Sequence, residues 1–305
     1  MLHLLDARHL GRPGIISIAA LDLGADAGLA LIDCGPDVVF DHLATALREQ
    51  LGRGPEDVRH LVLSHIHFDH AGGAWRWARE FGTDVHVHPR GAAHLLDPSK
   101  LLASATQIYG DRMSRLWGAI EPLPAERLHL AEDNATLRLC DEVALRVLAT
   151  PGHAQHHNAY FWENESTVFA GDVAGCTIAG GPVVPPCPPP DIHLEAWHAS
   201  LERLRALAPR HVYITHFGEL AEPLRKFDEL ETRLHQWAGW MRDRLRAGEP
   251  EAALLPAFNA FVLEGLRAQG LSESELAAYE QANPAFMSVA GLARYWRKFH
   301  PEALA

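Results

Sequence analysis

The stretch LVLSHIHFDHAGG, residues 61–73, sets three histidines and one aspartate within six positions, directly after an apolar run and directly before two glycines. Buried polar side chains need partners, and four adjacent ones are poorly suited to a core. The apolar run reads as a short strand, which leaves His65, His67, Asp69 and His70 on the loop at its carboxyl end. Loops on a rigid scaffold are where binding and catalytic groups concentrate. The chain must therefore fold so that this strand end presents its cluster to outside partners.

Three more apolar strands end in the same manner. LATPGHAQHH places His153 after a Pro-Gly turn, VFAGDVAG places Asp172, and VYITHFGE places His216. The four strand ends together carry five imidazoles and two carboxylates. Imidazole is the commonest protein metal ligand, so the 20 histidines of the chain point the same way. A lone histidine such as His129 or His211 reads as an ordinary surface or core residue. Alternate residues of the cluster can converge on one ion while Asp69 and His70 turn to a neighbour. Two divalent ions about 3.5–4 Å apart polarise a bridging water, whose pKa falls towards roughly 7. Imidazoles and carboxylates without thiolate suit zinc best here, with iron or manganese as alternatives.

Alternating strands and helices occupy the first part of the chain. Strands are predicted within 14–33 and at 59–65 and 84–88, and helices at 38–52 and 71–82, which indicates an α/β layer architecture. Residues 91–124 break this rhythm as a helical insertion. Strands then dominate at 127–130, 135–139, 143–149, 158–163 and 167–171. A proline-rich loop (181–190) precedes a helix from Leu194 and a strand at 211–215. From 221 to 305 the pattern is helical in four pieces, so the chain divides into a catalytic domain, 1–220, and a C-terminal helical extension.

The net charge of −12 argues against a sequence-independent grip on nucleic-acid phosphates. No apolar run approaches the roughly 20 residues of a membrane helix. The opening MLHLLDARHLGRPG lacks the basic-then-apolar pattern of a signal peptide. Cys34, Cys140, Cys176 and Cys187 form no CxxC pair, which favours reduced thiols. The expectation is a cytoplasmic protein acting on a small molecule, without nucleic-acid or membrane partners. The aromatic residues Trp237, Trp240, Phe258 and Phe261 are numerous enough for a homodimer interface.

The order HxHxDH, lone His, Gly-Asp and strand-terminal His resembles the metallo-β-lactamase-fold hydrolase superfamily over about residues 14–220. The resemblance implies an αββα sandwich with a dinuclear centre along one edge. It implies that His65, His67 and His153 bind one metal, that Asp69, His70 and His216 bind the other, and that Asp172 bridges them. His157 stands where many relatives carry a second histidine, and Asp33 in LIDCG where relatives carry DxG. Both are expected to support the ligands from behind, because metal-bound imidazoles need outer partners to fix their tautomer.

Asp172 stands where one class of β-lactamases places a cysteine, which turns the expectation away from drug hydrolysis. The resemblance is to the glyoxalase II-like group, and most to an uncharacterised bacterial and archaeal branch. It implies a metal-bridging hydroxide attacking an ester, thioester or lactone, with Asp69 orienting it or carrying a proton. Rival expectations are a phosphodiester or phosphonate hydrolase with the same metals, and a mononuclear iron dioxygenase of the persulfide type. The insertion 91–124 and the loop 181–190 adjoin ligand-bearing strand ends. Tyr109, Trp117, Val183 and Val184 are therefore expected to line a pocket over the metals, while Cys187 is expected to be a bystander.

Overall fold

The computed structural model describes residues 1–305. The first half runs β1 (Leu2–Asp6), β2 (Ser17–Asp22), β3 (Leu29–Ile32), α1 (Phe40–Leu51), β4 (Val58–Val62), α2 (Phe68–Ala71), α3 (Ala74–Phe81) and β5 (Asp84–Val87). The insertion supplies α4 (Pro89–Leu96), α5 (Ser99–Tyr109) and α6 (Met113–Trp117), and β6 (Leu128–Leu130) follows. The second half runs β7 (Thr136–Arg138), β8 (Ala144–Ala149), β9 (Asn158–Trp162), β10 (Thr167–Phe169), α7 (Leu194–Arg205), β11 (His211–Ile214) and β12 (Gly218–Glu219). The extension is α8 (Pro223–Arg246), α9 (Glu251–Arg267), α10 (Glu273–Ala282) and α11 (Ala285–Phe299).

Strands β1 to β6 form one sheet and β7 to β12 the other, each with its strands in sequence order. The first sheet is antiparallel through β3 and parallel from β3 to β6, and the second is antiparallel except for β10 with β11. A parallel pair needs a crossover, and α7 supplies it between β10 and β11. The αββα expectation is met. The sequence reading missed β1, which pairs along β2 from Leu2↔Leu21 to Asp6↔Ser17. It is an edge strand with Leu4 exposed, so its hydrophobic alternation is weak.

Side chains alternate across each strand, and in β2 both faces are buried. Ala19 and Leu21 of β2 join Ile32, Val62, Val147, Tyr160 and Phe169 in a buried cluster drawn from both sheets. Ile18 and Ala20 point the other way, into the larger cluster shared with α1 and α3. That larger cluster runs without a break into the extension. Phe227, Leu230, Leu234, Trp237 and Met241 recur at three- and four-residue intervals as the buried stripe of α8, the pattern of an amphipathic helix. Trp237 and Trp240 pack on Phe258 at 5.2 and 5.4 Å, so these aromatic residues join α8 to α9.

The proline-rich loop is clamped by the extension. Prolines contribute carbonyl acceptors but no N–H donors, so the loop takes its donors from elsewhere. Tyr279 Oη donates to Pro182 O at 2.6 Å, Asn283 Nδ2 to Pro185 O at 3.1 Å and Arg294 Nε to Pro190 O at 3.3 Å. Gly291 of α11 lies against the same loop: a Cβ there would fall 2.0 Å from the Cys187 carbonyl oxygen. Backbone must then move, and overpacking of this kind costs about 1–3 kcal/mol. Gly291→Ala is expected to lose stability in that range, read as a lowered denaturation midpoint in urea. A midpoint equal to that of the parent would show that helix and loop can part freely.

Candidate metal centre

All seven strand-end side chains named above meet at one edge of the sandwich. His65 and His67 follow β4, and Asp69 and His70 ride on the single turn of α2. His153 follows β8, Asp172 follows β10 and His216 follows β11. His65 Nε2 lies 2.8 Å from His67 Nδ1, and His153 Nε2 lies 3.3 and 3.1 Å from those two atoms. Asp69 Oδ2 lies 3.4 Å from His216 Nε2, and Asp69 Oδ1 lies 3.9 Å from His70 Nε2. Asp172 stands between the two sets. Its Oδ2 is 3.5 Å from His153 Nε2, while its Oδ1 is 3.3 Å from His70 Nε2 and 3.8 Å from His216 Nε2.

The outer nitrogens assign the tautomers. His153 Nδ1 donates to Pro186 O at 2.8 Å, and His216 Nδ1 donates to Ile15 O at 2.7 Å. His70 Nδ1 donates to Asp33 Oδ2 at 2.7 Å. Ser64 Oγ gives its own proton to Asp33 Oδ2 and so accepts from His65 Nδ1 at 3.0 Å. Four imidazoles therefore turn Nε2 inward, while His67 presents Nδ1. The Nε2 lone pairs of His65 and His153, 3.3 Å apart, repel unless a cation or a shared proton lies between them. Tetrahedral bonds of about 2.0–2.1 Å place ligand nitrogens about 3.3 Å apart, close to the spacing of the first three. His70 Nε2 and Asp172 Oδ1 are buried and find no hydrogen-bond partner in the chain. These buried clusters suit a dinuclear metal site.

Charge divides along the same line. Burial, then the neighbouring His70, His67 and His153, push His65 far below the usual histidine range. His67 falls to about 3 through burial and His153. Burial also opposes charge on His70 and His216, but the carboxylates of Asp172 and Asp69, with Asp33 at His70, outweigh it and raise both. Asp172 is held well below the carboxylate range despite burial, through His70 and His216.

Asp33, on the turn after β3, is completely buried and holds a left-handed φ of 59°, which aspartate tolerates better than most residues. Its carboxylate accepts from Ser64 N at 2.7 Å, Ser64 Oγ at 2.8 Å, Thr215 Oγ1 at 2.8 Å and His70 Nδ1. His157 is buried behind Asp172, with Nδ1 2.8 Å from Thr150 Oγ1. Gly171 makes room for it: φ is 51°, and a Cβ would lie 2.8 Å from both His157 Nε2 and Ser64 Cβ. A larger residue before Asp172 would push the carboxylate out of place.

A cavity of about 640 Å³ opens over the centre, with His67, Asp69, His153 and Asp172 among its lining residues. Tyr109 and Trp117 of the insertion line it, as do Pro186 and Pro188 to Pro190 of the proline-rich loop. Val183 and Val184 do not: both are buried in the core, against the extension. Cys187 is also fully buried, and burial raises its thiol far above the range of a nucleophile. The sequence reading missed His9 and the segment 280–287, which complete the cavity wall. His9 Nε2 donates to Leu116 O at 2.8 Å, and its ring stacks on Trp117 at 5.6 Å. His156, also in the wall, sets its ring 5.5 Å from that of His67.

The profile of the family described as Metallo-beta-lactamase superfamily matches residues 12–216. The chain is 30% identical over 162 residues to the metallo-beta-lactamase fold-containing protein ST1585 of Sulfurisphaera tokodaii, covering 52% of this chain and 60% of that sequence. The crystal structure of ST1585 superposes with a TM-score of 0.62 at 25% identity, over 77% of this chain and 85% of that one. The probable metallo-hydrolase MJ0888 of Methanocaldococcus jannaschii is 26% identical over 159 residues, half of this chain (50%) and 69% of the relative. TTHA1429 of Thermus thermophilus, a metallo-beta-lactamase family protein, shares the fold over 98% of this chain and 93% of its own, with a TM-score of 0.65 at 23% identity. That span takes in the helical extension.

Replacing an outer partner of a metal-binding histidine commonly weakens metal affinity about 10–100-fold. Asp33→Asn retains the size of the side chain but puts donors where acceptors are needed. It is expected to weaken zinc binding by about that factor, measured by competition with a chromogenic chelator. An unchanged dissociation constant would mean that Asp33 supports the fold alone.

Proposed function

Because the chain belongs to the metallo-beta-lactamase superfamily, we propose that it is a dinuclear metal-dependent hydrolase cleaving an ester, thioester or lactone. His65, His67 and His153 would hold one divalent ion, Asp69, His70 and His216 the other, and Asp172 would reach both. Zinc fits the imidazole-rich set best, with iron or manganese as alternatives. Such ions supply Lewis acidity, which polarises an acyl carbonyl and makes a water molecule acidic enough to attack it near neutral pH.

The observation that carries the metal reading is the convergence of three imidazole nitrogens, from His65, His67 and His153, between 2.8 and 3.3 Å apart, beside the second cluster of Asp69, His70 and His216. The protein groups divide the remaining work. Asp172 is nearly buried and held by imidazoles on both sides, so it serves to position. The Asp69 side chain keeps 24% of its exposure and faces the cavity, the location from which a proton can pass to a leaving group. The apolar walls exclude water and offer binding area to an acyl substrate, the usual make-up of a small-molecule pocket. The chain's charge of −12 argues against polyanionic phosphodiesters. No helix is long and apolar enough to cross a membrane.

Metal analysis of the purified protein, paired with a screen of thioesters, lactones and phosphodiesters, tests the proposal. Two ions per chain and turnover of small thioesters or lactones are expected. One iron per chain would favour a dioxygenase, and phosphodiesterase activity alone would overturn the acyl assignment. Asp172→Ala is expected to lower metal occupancy and turnover together, since both ligand sets lose a shared carboxylate. A variant retaining two tightly bound ions and near-normal rates would remove Asp172 from the bridge.

The wall should be separable from the centre. Trp117 packs 5.3 Å from Tyr109 and 6.0 Å from Phe68 on the cavity side. Trp117→Ala is expected to raise KM several-fold for the preferred substrate while metal content stays at the parental value. Equal KM across the substrate panel would show that the wall contributes no binding.

A further inference from the structure

The cavity wall carries a charge pattern that narrows the class of substrate. Helix α5 turns one face to the cavity: Lys100, Leu101, Ser104, Ala105, Ile108 and Tyr109 recur at helical spacing, and Arg112 follows in the next turn. The middle of this face is mostly apolar and each end is a cation. Across the cavity stand Phe286 and Met287 of α11. The Phe286 ring lies 6.3 Å from that of Tyr109, and Met287 Sδ lies 3.9 Å from the Tyr109 hydroxyl. The N-terminal segment, the insertion and the extension thus enclose one apolar slot above the metal edge.

The carboxylates around the slot are already engaged. Both oxygens of Glu280 accept from Ala285 N at 3.2 Å, and Asp191 Oδ2 accepts from Gln155 N at 3.3 Å. Asp69 and Asp172 belong to the metal centre. Arg112 spends only its Nε, on the Tyr109 carbonyl at 3.4 Å, which leaves its terminal N–H groups available. Lys100 and Arg112 are both exposed at the rim. The chain holds 39 acidic against 27 basic residues, so partners for two more cations would be easy to supply. They stand instead on the cavity side, Lys100 in the first turn of α5 and Arg112 in the short turn beyond its C-terminal end.

From this we infer that the preferred substrate is an anionic amphiphile. Its hydrolysable acyl bond lies at the metal edge, its apolar body lies against α5 and Phe286, and a carboxylate or phosphate at its far end meets Lys100 or Arg112. The inference rests on the acyl-hydrolase reading for the reacting end and on the wall alone for the rest. The rim cations contribute through solvent-screened contacts, so each has a modest effect that falls as salt rises.

Two pairs of probes separate these layers in the metal-loaded protein. The first pair is the mono-S-ethyl thioester of sebacic acid, which keeps a free carboxylate, and its neutral methyl-capped counterpart. The second is the mono-N-ethylamide of sebacic acid and its neutral bis-amide counterpart, which carry no ester or thioester, followed by tryptophan fluorescence as a binding readout without turnover. The parent should prefer the charged member of each pair. Lys100→Gln and Arg112→Gln should each weaken the charged probes roughly threefold, and the double variant about tenfold. The neutral probes should be unchanged, and the preference should shrink in about 0.5 M sodium chloride. Both positions are exposed, and equal metal content would show that the centre is intact. Absence of preference in the parent, or a preference untouched in the double variant, would overturn the inference. Charge preference in binding with no turnover of either thioester would remove the acyl-hydrolase reading and leave the amphiphile site supported.

Discussion

One side of the metal edge leans on the buried carboxylate of Asp33, which joins the two sheets. Ser64 and His70 belong to the segment that follows β4 in the first sheet, and Thr215 follows β11 in the second. A carboxylate taken out of water is costly unless hydrogen bonds replace its hydration, and donors from both sheets supply them here. The same contacts fix the Nδ1 proton of His70 and, through Ser64, that of His65. Sheet-to-sheet cohesion and the direction of two lone pairs are therefore one interaction. Each gains from the rigidity of the other.

The far side of the centre is held by a longer chain of contacts. His153 takes its orientation from the Pro186 carbonyl. Pro186 lies in a loop whose Pro182, Pro185 and Pro190 carbonyls are gripped by Tyr279, Asn283 and Arg294. The extension thus reaches the metal centre through backbone acceptors, although none of its residues is among the seven that converge. Proline contributes twice: it restricts the loop backbone and leaves carbonyls for outside donors. The same extension brings Phe286 and Met287 to the cavity, so one packing surface sets both a histidine and the substrate wall.

Cavity and centre differ in how tightly they are specified. The converging side chains sit where regular strands end, and most are anchored from behind. The wall is assembled from the N-terminal segment, the insertion, the proline-rich loop and the extension, and the first, second and fourth touch through His9, Tyr109 and Gln281. TTHA1429 shares the fold over nearly the whole chain at 23% identity, so this backbone path is compatible with widely different sequences.

Local pattern was enough to find the strand ends and their seven polar residues, because a polar cluster following an apolar strand has few uses in a core. It was enough for the layered architecture and for a C-terminal extension that is helical throughout, with a clear buried stripe in α8. The roles of Ser64, Thr215, Ile15 and Pro186 had no such signature, since backbone carbonyls and hydroxyls carry no spacing that marks them as partners of a histidine far along the chain. Val183 and Val184 show the reverse failure: adjacency to the site in sequence suggested a wall, yet their apolar side chains gained more by packing against the extension. His9 and Phe286 sit at opposite ends of the chain, and only tertiary packing brings both to the cavity. Sequence alone therefore determined which groups could bear the chemistry, because that depends on residue type and local register. Tertiary structure decided which atoms face the centre and what lines the approach to it, because those depend on contacts between segments whose separation leaves no local trace.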